Sequence, residues 1–225
     1  MAMNPRIGSP SLSAFTRSEL ILVLGFIALL FFFIFSGVPG IRAKEKAKLV
    51  SCMASQRQIV LGLAMFASTN GDQFPALVSI TNGGAMEPMS DGNVMSCFAT
   101  LTNSINPYAF VCPSDKLRAR PERGQPLTRT NLSYFISLDA TSKDPPVTTI
   151  LTGDRHLELN GKSATSGVFG LSMNCKSAWT TELHFMKGQG TRGVVSFVDG
   201  HVEATKNLAE VVARQSMATN RVVVP

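Results

Sequence analysis

The chain has 225 residues, of which 44% are hydrophobic and only 16% charged, with a formal net charge of +6 and a mean hydropathy of +0.15. That length suits one ordinary domain plus an appendage. The positive charge is modest enough for a solvated surface to account for it, so composition gives no reason to expect a nucleic-acid partner.

The apolar excess is concentrated near the start. Leu20 to Ile41 carries no charge, and a helix rising about 1.5 Å per residue needs roughly 20 residues to cross a bilayer core. A buried core helix is one alternative. The run Phe31-Phe32-Phe33 places bulky apolar groups on every face, which suits lipid better than a half-exposed surface. A removable secretory signal, cut loosely at Ser36-Gly37, is another. One carboxylate, Glu19, stands at the edge of the run. Arg6 and Arg17 precede it; Arg42, Lys44, Lys46 and Lys48 follow, against Glu45. By charge alone, the positive-inside tendency puts the C-terminal side in the cytoplasm.

Helical character continues beyond a weak point at Gly37, Pro39 and Gly40. Met53, Val60, Leu63 and Ala67 share one face at helical spacing, while Lys44, Lys46, Lys48 and Arg57 stay open to water. Asn70-Gly71 is a natural stop. A nearly continuous helix from Thr16 to Asn70 would be roughly 80 Å long. Residues 76–131 read as irregular, and Lys116 to Arg129 as a basic, solvated loop able to meet an anionic surface. Strand signals follow. Leu132, Tyr134, Ile136 and Leu138 alternate, "VTTILTGD" comes next, and "GVVSFVDGHVEA" reads as a hairpin around Asp199-Gly200 with a type I′ turn. "TKNLAEVVARQ" ends the head as a short helix with Leu208, Val211 and Val212 inward.

The residues that carry chemistry are few. Three histidines lie beside acids in sequence: Asp154/His156, Glu182/His184 and Asp199/His201. Nothing adds a nucleophile and base at a diagnostic spacing. "NGKS" at Asn160 to Ser163 is like the end of a phosphate loop, but His156 stands where the loop needs glycine. Asp154 and Asp199 are calcium candidates, as hard oxygen ligands; no other cofactor is expected. Cys52, Cys97, Cys112 and Cys175 match no CxxC metal spacing, which argues against zinc. They allow two disulfides in three pairings, or buried free thiols. Asn131-Leu132-Ser133 is a formal glycosylation sequon.

Ala14-Phe15-Thr16-Arg17-Ser18-Glu19 before a long apolar helix resembles the type IV prepilin cleavage and methylation motif, usually G-F-T-x-x-E. "FVCPSD" at Phe110 to Asp115, "WTTELH" at Trp179 to His184 and "FVDGHVE" at Phe197 to Glu203 extend the resemblance to G-like pseudopilins of bacterial type II secretion. The resemblance implies an α+β pilin-like fold, a long N-terminal helix on a small antiparallel sheet. It implies a cytoplasmic leader (1–14), the long helix (15–71, transmembrane over about 20–41) and an extracytoplasmic head (72–225). Prepilin peptidase would cut between Ala14 and Phe15 and methylate the Phe15 amine, reversing the orientation that charge suggests. Ala14 stands where the motif usually has glycine. Glu19 would pair with a neighbour's Phe15 amine during assembly. Implied partners are other copies or related pilins, the peptidase and the inner-membrane assembly platform. The mature chain would sit in a periplasmic or surface filament and work by assembly rather than catalysis. The alternatives are a non-polymerising anchored binding protein and a secreted enzyme using the His/acid clusters.

Overall fold

Two helices form from neighbouring stretches of sequence, and they bury different amounts of themselves. The computed structural model describes residues 16–36, 41–122, 124–185, 188–215 and 217–225. Helix α1 (Arg17–Ser36) opens on a reciprocal cap. The Thr16 N–H and hydroxyl donate to Glu19 Oε2 at 2.9 and 3.0 Å, and the Glu19 N–H donates to Thr16 Oγ1 at 3.3 Å. This T-x-x-E box satisfies donors that a helix start otherwise leaves open. Leu20, Phe26 and Ile34 are exposed, and the helix is long and apolar enough to cross a membrane.

Helix α2 (Ile41–Thr69) passes the same length and composition test but belongs to a compact unit, Ile41–Pro225. Its stripe Leu49, Cys52, Gln56, Ile59, Val60, Leu63 and Ala67 is buried, and Met53 is partly so. The spacing of three and four residues keeps that stripe on one face. The compact unit therefore includes α2. The expected weak point at Gly37, Pro39 and Gly40 lies outside the described residues. Gly71 takes φ +64° and ends the helix where expected; the Asp72 N–H returns to the Ala67 carbonyl at 3.0 Å.

Residues 76–131 are more ordered than their sequence suggests. They hold α3 (Met86–Ser90), α4 (Met95–Leu101) and 3₁₀ turns at Pro75–Leu77, Ile80–Asn82, Pro107–Phe110 and Arg129–Asn131. Helices of five and seven residues are shorter than the window in which helical periodicity becomes legible. Met89, Phe98, Leu101 and Phe110 join the core that includes the α2 stripe.

The strands are β1 (Tyr134–Ser137), β2 (Ile150–Asp154), β3 (Leu157–Leu159), β4 (Lys162–Ser163), β5 (Gly167–Ser172), β6 (Ser177–Trp179), β7 (Gly193–Phe197) and β8 (Val202–Thr205). Helix α5 (Leu208–Ala213) follows, then β9 (Thr219–Val224). A six-stranded antiparallel sheet runs β5-β9-β1-β2-β7-β8, and a small sheet runs β4-β3-β6. The main sheet is covered on both faces. Tyr134 and Ile136 join the core containing α2, while Phe135 between them joins a second core with Leu157, Trp179, Leu208, Val211 and Val212. Alternate residues of a strand point to opposite faces, which places α2 over one face and α5 with the small sheet over the other.

Two sequence expectations change. The chain does not finish on α5, because β9 enters the middle of the sheet between β5 and β1. The β7–β8 hairpin has a three-residue loop. Phe197 and His201 close it, the Gly200 N–H returns to the Phe197 carbonyl at 3.0 Å, and Gly200 takes φ +87°. A type I′ turn needs positive φ at both central residues, and Asp199 is not among the positive-φ positions.

Candidate functional site

Under the sheet face that α2 covers, side chains from four elements converge. Cys52 comes from α2. Cys112 follows the Pro107–Phe110 turn, Asp154 ends β2, and His184 lies between β6 and β7. One ligand atom from each lies within 4.8 Å of every other, and all four residues are buried. Cys52 and Cys112 are joined by a disulfide across a sequence separation of 60. His184 Nε2 lies 3.4 Å from Cys112 Sγ and 3.5 Å from Asp154 Oδ2. His184 has φ +47°, a region that ordinary residues enter only when the surroundings hold them there.

The immediate neighbours orient these groups. Ser114 Oγ is 3.2 Å from His184 Nδ1, and the Ser114 N–H donates to Cys112 Sγ at 3.4 Å. The Tyr134 hydroxyl lies 3.3 Å from Cys52 Sγ. The Val194 N–H donates to Asp154 Oδ2 at 2.8 Å, and Gln56 Nε2 donates to Asp154 Oδ1 at 3.3 Å. Gln56 also donates to the Val194 carbonyl and accepts from Ser196 Oγ at 2.6 Å, tying α2 to β7. Burial pushes the Asp154 carboxyl up to about 7, against the pull of Val194 and Gln56, and burial lowers the His184 imidazole to about 4. Both shifts disfavour the charged form in a poorly solvated site.

A second buried network lies alongside. Arg155 donates twice to Asp115, at 2.8 and 3.1 Å, and Ser133 Oγ donates to the same carboxylate. Burial raises the Asp115 carboxyl, but His156 and Arg155 outweigh it and hold the group well below its usual range. His156 Nδ1 meets Glu182 at 2.6 Å.

The sequence-neighbour pairs are thus exchanged in space. His156 meets Glu182 and Asp115, whereas His184 meets Asp154. Only Asp199 and His201 stay together, at 2.7 Å, with the His201 ring stacked 4.0 Å from Phe197. The two calcium candidates do not converge. Ile150 pairs with Phe197 and Gly153 with Val195, so Asp154 and Asp199 lie toward opposite ends of the β2–β7 pair. Of the four cysteines, Cys97 is a buried thiol and Cys175 a half-buried one; burial pushes the Cys97 thiol up to about 12. A second disulfide does not form. Asn131 of the sequon is buried and donates to the Ala119 carbonyl at 2.8 Å. In the basic loop, Arg118 and Arg129 turn to Pro225 and Ser166. Ala14 and Phe15 lie outside the described residues.

Sequence reasoning missed Gln56 and the convergence on His184. The signal for Gln56 was its place on the apolar stripe between Cys52 and Ile59. The four-residue cluster had no local signal, because its members are spread from α2 to the approach to β7. Compared with family models, curated proteins and solved structures, the chain matches none.

Proposed function

We propose that this protein is a pilin-like subunit, anchored in the membrane by α1 as a precursor and assembled into a filament through the same helix. The observation that carries the reading is at the start of α1. A helix with exposed apolar side chains opens on a carboxylate, Glu19, turned back onto Thr16. Lipid or other apolar helices suit such a surface, and a carboxylate at its boundary is costly unless paired. Phe15 directly precedes Thr16 in the sequence. Cleavage after Ala14 would put a new amine beside the acid, and Glu19 of one subunit would meet the amine of the next. A buried pair of this kind acts mainly by penalising wrong registers. The head supplies the other part, an α+β unit with α2 built into its core.

Mass spectrometry of the membrane-extracted chain should find N-methylated Phe15 as the first residue. An intact Met1, or a start after residue 36, overturns the reading. Glu19→Ala should still insert but lose filament assembly; filaments of unchanged yield would refute the pairing. A second reading, an anchored binding protein that never polymerises, is favoured by one feature. A groove of about 880 Å³ is lined by Met95, Ala99, Tyr108, Pro121, Pro126 and Leu127. A membrane-bound chain that retains Met1 would support it.

A further inference from the structure

We propose that Cys52, Cys112, His184 and Asp154 form a tetrahedral site for one thiophilic divalent cation of the zinc class whenever the two cysteines are reduced. The donor set is two sulfurs, one imidazole nitrogen and one carboxylate oxygen, all buried and mutually within 4.8 Å. Zinc bonds of about 2.0–2.3 Å place tetrahedral ligands roughly 3.3–3.8 Å apart. His184 Nε2 already stands 3.4 Å from Cys112 Sγ and 3.5 Å from Asp154 Oδ2. Calcium does not suit the place, because it takes six to eight oxygens.

A disulfide alone does not account for the company it keeps. Asp154 is fully buried, yet the neighbouring cation Arg155 is committed to Asp115. The hydrogen bonds given to Asp154 come from neutral donors, the Val194 amide and the Gln56 side chain. A buried carboxylate held by neutral donors is expensive, and a cation at the cluster removes that penalty. The outer contacts are also those of a metal centre. Metal-bound histidine usually anchors its second ring nitrogen, and Ser114 Oγ lies 3.2 Å from His184 Nδ1. Ser114 N–H and the Tyr134 hydroxyl face the two sulfurs, where they would stabilise thiolates.

The metal-bound and disulfide forms exclude each other, since the ion needs both sulfurs as thiolates. Oxidation by a small disulfide such as oxidised glutathione balances simply. One thiolate attacks the reagent to give a mixed disulfide, and the second displaces the remaining glutathione. The two thiolates lose two electrons in forming the Cys52–Cys112 bond. The reagent takes those electrons with two protons to become two thiols, and the cation leaves.

The test uses the full chain in detergent micelles, reduced with a phosphine under nitrogen and titrated with Co²⁺ and with Zn²⁺. One equivalent of Co²⁺ should bind with a thiolate-to-cobalt charge-transfer band and the intense visible bands of tetrahedral cobalt. Zn²⁺ should displace it, and oxidised glutathione should release it. Ser114→Ala should weaken binding roughly 10–100-fold, and the Cys52→Ser/Cys112→Ser double variant should abolish the charge-transfer band. Cobalt bound without that band, or equally by the double variant, overturns the proposal. If the double variant fails to fold by circular dichroism, reduced and glutathione-oxidised wild-type chains decide the matter. Equal binding by both overturns the site, and binding by the reduced chain alone supports it.

Discussion

Asp115 and Arg155 meet through two hydrogen bonds, with the carboxylate side chain 1% and the guanidinium side chain 10% exposed. Removing one partner of such a pair leaves an uncompensated buried charge, and typically costs roughly 3–5 kcal/mol. Asp115→Asn should lower the urea midpoint at neutral pH by about that much. Because folding depresses the Asp115 carboxyl, its contribution is complete above the unfolded value near 4 and is lost as pH falls through the lower folded value. The gap between wild type and Asp115→Asn should therefore narrow as the pH of the unfolding experiment drops from 6 to 3; a gap that widens would be wrong in sign. The pair also shapes its surroundings. By engaging Arg155, Asp115 leaves the adjacent Asp154 to neutral donors. That division was not legible in the sequence, where Asp154, Arg155 and His156 are consecutive. A strand end sends adjacent side chains to opposite sides, so neighbours in sequence found different partners in space.

At the scale of elements, β2 shows how tightly the sheet is built. A Cβ on Gly153 would stand 2.6 Å from Phe135 Cζ and 3.1 Å from the Val194 carbonyl oxygen. Phe135 is fully buried in the second core and cannot swing aside without opening it. Gly153→Ala should destabilise the head by about 1–3 kcal/mol, measured as a urea midpoint shift at constant slope. No change would mean that the Phe135 ring has room to move. The elements that could be read from sequence were mostly the long or locally punctuated ones: α1, the buried face of α2, β1, β2, the β7–β8 hairpin and α5. Those that could not were short or buried on both sides. In β9, Val222 and Val224 enter one core while Val223 enters the other, so the alternation that marks a half-exposed strand is missing. The hairpin's place is legible in the sequence, but the length of its loop is not. Asp199-Gly200 is as compatible with a three-residue loop, in which Gly200 alone carries the positive φ.

For the whole molecule, the division at residue 40 is informative. Both hydrophobic cores lie within Ile41–Pro225, and α1 contributes no buried side chain among the described residues. A chain starting at Ile41 should be soluble and unfold cooperatively. Its stability should match that of the head in the full chain to within about 0.5 kcal/mol, the ordinary scale of changes remote from a core. Gel filtration and chemical unfolding check this; aggregation or a lost transition would show that α1 supports the head. The position of β9 has another consequence, one of timing. It is later in sequence than every other strand, yet it fills the gap between β5 and β1. While a ribosome is still holding Thr219–Val224, β5 has no partner in the sheet and the edge of β1 is open. The head then cannot close vectorially as it is made. It must wait as an open, non-local chain, slow to fold and in need of protection.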